Sequence, residues 1–211
     1  MSTFLPMFPL QLVVFPGEQL NLHIFEPRYK QLVQECEEEG ITFGIPAYID
    51  GKVMETGTEI QLLNIEKRYD NGELDIRTKG LGIFNIQQFY KTAPKKLYSA
   101  ADVERVQVLE GGDFITAEKI LELIRELFAL LEVQKDLPET PDQFRTYDWA
   151  HQVGFTLQHE YQLLCMPEET ARQQFMLVHL ENVLPRVKEI EEIRRKAQMN
   201  GHFKNIIPPN V

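Results

Sequence analysis

The first hundred residues carry the apolar patterns of β-strands separated by turns. Residues 20–24 alternate apolar and polar side chains, as a strand with one buried face does. Residues 10–15 form a short apolar run that ends at the turn-forming Pro-Gly pair 16–17. Asp-Gly at 50–51 and Asp-Asn-Gly at 70–72 predict two hairpins, and short connections favour antiparallel pairing. The predicted strands are 10–15, 20–24, 43–49, 59–69, 74–76, 84–90 and 98–108.

One helix interrupts these strands. Pro27 suits the first turn of a helix, where the missing N–H of proline has no cost. Gly40 is a typical residue to end it, so the predicted helix covers residues 27–39. Apolar side chains recur there at helical spacing and share one face: Tyr29, Leu32, Val33 and Cys36.

After residue 110 the pattern becomes helical. Apolar residues recur every three or four positions over 116–131. A second helix is predicted over 147–157, and a third begins after Pro167 with acidic residues at its start. Pro185 should kink or split that third helix. The chain is therefore expected to be α+β, with a β-rich subdomain at 1–110, a helical subdomain at 111–199 and a flexible tail at 200–211.

Composition and charge narrow the class of protein. The 211 residues are 43% hydrophobic and carry a formal net charge of −10, spread evenly over both halves. Nucleic-acid binding depends largely on basic side chains that neutralise phosphates, so no nucleic-acid partner is expected. The two cysteines are far apart, which favours free thiols in a reducing compartment. Neither a signal peptide nor a membrane span is predicted, and the expected location is the cytoplasm.

A specific resemblance lies in the first thirty residues. The segments are LPMFPL at 5–10, FPG at 15–17 and LHIFEPRY at 22–29, followed by a Gly-Thr pair at 57–58. In this order and spacing they resemble the N-terminal substrate-binding domain of Lon-type ATP-dependent proteases. The resemblance implies a six-stranded, partly closed antiparallel β-barrel of the pseudouridine-synthase-associated (PUA-like) type with one or two helices, followed by a C-terminal α-helical bundle. It also implies recognition of unfolded or tagged protein segments.

The chain offers little of the chemistry that an enzyme needs. Its Gly-Lys pair at 51–52 is followed by Val and lies in a predicted turn, so it does not form a phosphate-binding loop. Of the two serines, Ser2 is terminal and Ser99 begins a predicted strand without a glycine-rich loop around it. The five histidines show no metal-ligand spacing. Gly-Leu-Gly at 80–82 predicts a bend or a bulge rather than a dinucleotide-binding loop. We therefore expect no catalytic residue, no metal site and no cofactor.

The resembling motifs supply the candidate site residues. Two roles are open for the segment 26–29. Glu26 and Arg28 could fix a strand-to-helix corner with Tyr29 packed beneath it, or the corner could line a peptide-binding groove. We favour the structural role, for which Glu26→Ala should lower thermal stability. The full candidate set is Pro9, Phe15, Pro16, Gly17, His23, Phe25, Glu26, Pro27, Arg28 and Tyr29.

The leading hypothesis is a non-catalytic protein- or peptide-binding module. Its partners would be unfolded or extended protein segments, captured as an added strand or in a groove. It would act as an adaptor to a separate protease or as a chaperone-like factor, and an apolar stripe at 187, 190 and 193 could support a homodimer. The alternative is an RNA-binding PUA-like domain, against which the negative charge argues. A small-molecule enzyme with a pocket beside the barrel is a third reading.

Overall fold

The computed structural model describes residues 3–202, with side chains described for residues 3–198. They form two compact units. The first, which we call the strand unit, contains residues 3–111 and 145–172; the helical unit contains residues 112–144 and 173–202. The division expected at 110/111 assigned residues 145–172 to the helical part, whereas in the structure they pack with the strands. Of the expected tail at 200–211, residues 203–211 lie outside the described residues.

Within the described residues, six strands form one sheet. They are β1 Thr3–Met7, β2 Gln19–Ile24, β3 Phe43–Ile49, β4 Lys52–Arg68, β5 Leu74–Tyr90 and β6 Ser99–Val106. The strand order is β2-β5-β4-β3-β1-β6, and β5 also pairs with β6. The pairing of β1 with β3 is parallel and has one register pair, Met7 with Gly44, while the other pairs are antiparallel. The predicted α+β class is confirmed, but the sheet is mixed and does not form a closed antiparallel barrel.

Both predicted hairpins are confirmed. Asp50 and Gly51 adopt φ values of 50° and 78° in the two-residue turn between β3 and β4. Gly72 has a φ of 77° in the turn between β4 and β5. These left-handed conformations suit Gly and Asp, which explains why the turn residues were recognisable.

The predicted first helix is also confirmed. It is α1, Pro27–Glu39, and it ends where Gly40 adopts a left-handed φ of 67° and its N–H bonds to the carbonyl of Cys36. Its four predicted apolar residues are all buried. They pack in the core of the strand unit together with Phe43, Ile45 and Ile60 from the sheet.

The segment before β2 differs from its prediction. Residues 10–15 are not a strand; Leu10 makes a single parallel bridge to Ala47, and the strand lies earlier, in β1. Val13, Val14 and Phe15 are nevertheless buried, so the apolar run fills the core from a loop. The strand predicted from this apolar run is therefore wrong, although three of its residues are buried.

The predicted glycine bulge is present in β5. Gly82 pairs with Glu59 and Gly80 pairs with Ile60, so residue 81 is the extra residue in β5. A Cβ atom at Gly80 would lie 2.5 Å from the carbonyl oxygen of Phe15. Gly80 therefore allows the loop before β2 to cross closely over the sheet.

Four helices follow the strands in the described residues. They are α2 Phe114–Leu130, α3 Thr146–Trp149, α4 Leu157–Leu164 and α5 Glu169–His202, with 3-10 turns at Pro141–Gln143 and Ala150–Gln152. Asp113 caps α2 by accepting the N–H of Thr116 at 2.7 Å. The single helix predicted over 147–157 is wrong, because α3 ends at Trp149 and α4 starts at a capping box on Thr156. Helix α5 is not split at Pro185, which lies inside it.

Candidate functional site

The corner between β2 and α1 is built by the segment 26–29. Glu26 is extended at the N-terminus of α1, and its carbonyl oxygen accepts the N–H groups of Tyr29 and Lys30 at 3.0 Å. Its carboxylate makes no cap to the helix. The carboxylate instead accepts from Arg28, with Nε at 2.9 Å and Nη2 at 2.8 Å. Both side chains of this pair are largely exposed, so the pair fixes the corner only weakly.

Tyr29 anchors the corner to the core. Its ring is buried and stacks on Phe8 with the ring centroids 3.6 Å apart. The Arg28 guanidinium lies 4.5 Å from the centre of the same ring, a cation–π contact. Burial raises the pKa of the Tyr29 hydroxyl. The corner is thus held mainly by an aromatic stack beneath it.

Phe25 directly follows the last residue of β2 and, unlike Tyr29, faces outward. It is 58% exposed. The His23 ring lies 6.3 Å from it in a stacked arrangement, and the ring of Tyr69 meets His23 edge-on at 5.7 Å. Lys67 places its Nζ 4.3 Å from the Tyr69 ring. We call His23, Phe25 and Tyr69 the aromatic corner; it is an aromatic surface next to the strand-to-helix turn.

Two carboxylates hold His23 in place. Its Nδ1 lies 2.7 Å from Oδ1 of Asp75, and its Nε2 lies 3.1 Å from Oε2 of Glu73. Asp75 also accepts the hydroxyl of Tyr69 at 2.6 Å. The hydrogen bond to Asp75 raises the pKa of His23, and the bonds from Tyr69 and then His23 lower the pKa of Asp75. The aromatic corner is therefore flanked by ionised carboxylates that favour a protonated imidazole.

Phe15, Pro16 and Gly17 lie at the other end of β2. Phe15 is 1% exposed and stacks on Tyr147 with ring centroids 4.9 Å apart, so it belongs to the core. Gly17 has a φ of 87° and donates its N–H to the carbonyl of Gly80 at 2.9 Å. Gly17 and His23 are six positions apart, about 20 Å in extended chain. Of the ten candidates, His23 to Tyr29 thus meet at the corner, whereas Phe15, Pro16 and Gly17 lie before β2 starts. Pro9 follows Phe8, the residue that stacks on Tyr29.

A histidine that the motifs do not include secures the loop before β2. His151 Nδ1 lies 2.7 Å from Oε1 of Glu160, and its Nε2 lies 3.2 Å from Oε2 of Glu18. Glu18 also accepts the N–H of Phe15 at 2.8 Å. The bonds to Glu160 and then Glu18 raise the pKa of His151 to about 10. His151 is therefore charged at neutral pH and connects this loop to α4.

A buried ion pair is the second feature that sequence reasoning missed. Arg172 and Glu169 are each 2% exposed, and both Nε and Nη2 of Arg172 lie 2.8 Å from Oε2 of Glu169. The other carboxylate oxygen accepts the N–H and the hydroxyl of Thr146, each at 2.8 Å. The i,i+3 spacing of the pair was visible, but such pairs are common on solvated helix faces. The remaining Arg172 donors reach the carbonyls of Met166, Pro167 and Leu109 and the Tyr147 hydroxyl.

The described part of the chain contains neither a metal-binding group nor a membrane-spanning helix. There, no group of three or more His, Cys, Asp and Glu side chains is arranged to hold a metal ion. In the same residues, no helix is both long and apolar enough to cross a membrane. Cys36 is buried and Cys165 exposed, and both are free thiols. Burial raises the pKa of Cys36 to about 12.

Comparisons with known proteins give three kinds of likeness. Protein cereblon from Xenopus tropicalis is 27% identical over 108 residues, which cover 50% of this chain and 24% of that protein. The chain therefore matches only about a quarter of the length of this relative. A Lon N-terminal domain protein from Xanthomonas campestris has the same fold, with a TM-score of 0.65 and 23% identity over 83% of this chain and 98% of that one.

A second solved structure and a family model also match this chain to Lon N-terminal domains. The N-terminal domain of Mycobacterium avium complex Lon protease superimposes with a TM-score of 0.61 at 15% identity, covering 85% of this chain and 98% of that one. The family model of the ATP-dependent protease La (LON) substrate-binding domain matches residues 4–196. That range includes both units and every element from β1 to most of α5. The chain therefore belongs to the LON substrate-binding domain family.

Proposed function

We propose that this chain is a non-catalytic module that binds unfolded or extended protein segments at the aromatic corner. The observation that carries the proposal is the exposure of Phe25. Large aromatic rings bury well in cores, as Tyr29 and Phe15 do here, whereas Phe25 stays exposed in a patch with His23 and Tyr69, and exposed patches mark interaction sites. Membership of a family described as substrate-binding supports the same function.

The surroundings of Phe25 suit it for reversible contact. The Tyr29 stack fixes the backbone beneath it, and the hydrogen bonds of His23 to Asp75 and Glu73 fix the neighbouring ring. Little side-chain entropy is then lost when a partner covers the corner, because the surface is already ordered. Such a module would deliver its clients to a separate protease or act as a chaperone-like factor.

Two further proposals concern the cellular location and the oligomeric state of the protein. A reducing cytoplasm suits two free thiols, one of them exposed. A homodimer through the last helix is supported by the exposure of Ile190 and Ile193. Light scattering with and without Ile190→Glu checks the dimer, because a charge at that face would prevent its burial.

The direct test measures binding of a permanently unfolded protein. Reduced and carboxamidomethylated lysozyme carrying a fluorophore is the probe, and native lysozyme is the negative control. Fluorescence anisotropy should show that the wild type binds the unfolded probe only. Covering the remaining 58% of Phe25 is worth about 1–2 kcal/mol, so Phe25→Ala should weaken binding about five- to thirtyfold.

A matched control separates a site from general stickiness. Phe114 is 53% exposed but lies in the helical unit, so Phe114→Ala removes a similar area elsewhere. It should leave binding unchanged, and neither substitution should move the melting temperature by more than a few degrees. Failure of the wild type to bind the unfolded probe, or equal losses for both variants, would overturn the proposal.

A further inference from the structure

The open edge of β2 lies beside the aromatic corner. Strand β2 is the terminal strand of the sheet order and pairs with β5 along one side. The carbonyl of Glu18 accepts the N–H of Gly80, and the carbonyl of Leu20 accepts the hydroxyl of Thr78, so the even-numbered residues direct their backbone groups towards β5. Alternation then places the N–H and C=O groups of residues 19, 21 and 23 on the other side, where no strand of the described residues pairs with them.

This edge lacks the features that usually protect a sheet edge. Natural edges are blunted by lysine, proline or bulges. Strand β2, Gln19–Ile24, contains neither lysine nor proline. It also has no bulge, because its register with β5 runs without a shift over all six residues. Its unpaired backbone groups are therefore arranged as a template for one more strand.

The side chains of β2 indicate the chemistry of that strand. Leu20 and Leu22 point to the core face and are only half-buried, whereas Asn21 and His23 are exposed on the opposite face. An added strand would thus place alternate side chains against the two leucines and the others beside His23 and Phe25. Apolar residues suit the first set, because they would cover the exposed part of the leucines.

Charge complementarity indicates which client side chains suit the positions beside His23 and Phe25. Glu73 and Asp75 face His23, and Lys67 also lies at the aromatic corner, so the attraction for a basic client comes from the whole protein, which carries −10. A lysine or arginine is attracted to this charge and can lie over the Phe25 ring. Cations already occupy such positions in this unit, among them Arg28 over Tyr29, Lys67 over Tyr69 and Arg172 over Tyr147.

We infer that the β2 edge captures an extended client segment with alternating apolar and basic residues, which pairs as a seventh strand with residues 19, 21 and 23. The inference rests on the proposed function and names its binding mode and client class. The apolar residues of the client pack beside Leu20 and Leu22. Its basic residues lie beside His23 and Phe25.

Backbone N-methylation of a peptide tests the pairing on the wild-type protein. The probe is a fluorescein-labelled octapeptide of alternating valine and lysine, methylated either at the valine or at the lysine nitrogens. In a strand, alternate residues direct their N–H groups to opposite sides, so only one methylated series should lose binding, by about tenfold or more. Equal effects of the two series, or no effect of either, would overturn the inference.

A substitution in β2 provides an independent measurement. Asn21→Pro removes an outward N–H and obstructs the edge, and proline is tolerated where the N–H faces solvent. Asn21→Ala is the matched control, because it keeps the N–H. We expect Asn21→Pro to bind the octapeptide and unfolded lysozyme about tenfold more weakly, with Asn21→Ala near wild type. Unfolding curves followed by Trp149 fluorescence check that both variants fold.

The outcomes separate the two proposals. If the wild type binds unfolded lysozyme, but Asn21→Pro and both methylated series bind as well as their controls, the edge is not the binding site and the proposed function stands. If the wild type binds neither probe, both proposals are wrong.

Discussion

Arg172 provides the sharpest prediction about the stability of the strand unit. Arg172→Met keeps much of the side-chain volume and removes the guanidinium. Glu169 then stays buried at 2% exposure without its cation, although Thr146 still donates two hydrogen bonds to it. The substitution therefore isolates the cost of an uncompensated buried carboxylate.

The size of the stability loss depends on which hydrogen bonds remain in the Arg172→Met variant. The carbonyl of Leu109 still accepts the N–H of Glu169 at 3.0 Å, and the carbonyl of Pro167 still accepts the N–H of Leu109 at 2.8 Å. Since these acceptors keep a partner, the lost charge pairing dominates, and breaking a buried pair costs about 3–5 kcal/mol. For a chain of this length that corresponds to a fall in melting temperature of about 6–20 °C.

Neutralising the partner should recover part of the loss. In the double variant Glu169→Gln with Arg172→Met, the amide oxygen can still accept from Thr146 and no buried charge remains. We expect it to be more stable than Arg172→Met alone by about 1–2 kcal/mol. Lys79→Met, which removes an exposed cation from the same unit, is the matched control and should change stability by less than about 0.5 kcal/mol.

The assay is urea unfolding followed by tryptophan fluorescence. The chain has one tryptophan, Trp149, which is buried in the strand unit, so its signal follows the unit that contains the ion pair. The midpoint and slope of each curve give the free energy of unfolding. A loss below about 1 kcal/mol for Arg172→Met, or a double variant that is less stable than the single one, would refute the reasoning.

Two other predictions concern the histidine tie and the corner. The folded-state pKa of His151, about 10, lies above the ordinary value of 6.5, so its stabilisation is complete below pH 6.5 and is lost as the pH rises towards 10. His151→Gln should therefore lower the free energy of unfolding at pH 6 and flatten its decline between pH 7 and 10; urea titrations check this, and parallel pH profiles would contradict it. At the corner, Glu26→Ala should cost at most about 1 kcal/mol because the pair is exposed, whereas Tyr29→Ala should cost about 3–5 kcal/mol by emptying a stacked core position. Thermal melts rank the two, and a larger loss for Glu26→Ala would restore the ion pair as the main support of the corner.

Elements with local signals were predictable from sequence. Both ends of α1 depend on residues within the element or next to it, Pro27 and Gly40, and both hairpins depend on their own turn residues. Strand β1 was missed because Pro6 interrupts its apolar run, although the sheet accepts it opposite Ala100. Its place is decided by pairing with β6, nearly a hundred residues later, which no local pattern contains.

The aromatic corner was only half predictable for the same reason. His23 and Phe25 belong to a recognisable segment, but Tyr69, Glu73 and Asp75 join them only through the register of β2 with β5. A shift of one residue in that register would direct the opposite set of side chains outward. Sequence reasoning could therefore name the segment but not the carboxylates that fix the charge of its histidine.

The energetics of the corner show why the strand edge matters for binding. Covering the rest of Phe25 supplies about 1–2 kcal/mol, while even a millimolar complex needs about 4 kcal/mol. Phe25 alone is thus too weak to retain a client, and in the inferred binding mode the difference comes from contacts that extend along β2. Backbone hydrogen bonds can supply it for almost any extended segment, since every residue except proline offers an N–H and a C=O group. Weak and reversible capture of many sequences, with a preference for a cation beside Phe25, is what the open edge and the exposed ring of Phe25 should produce together.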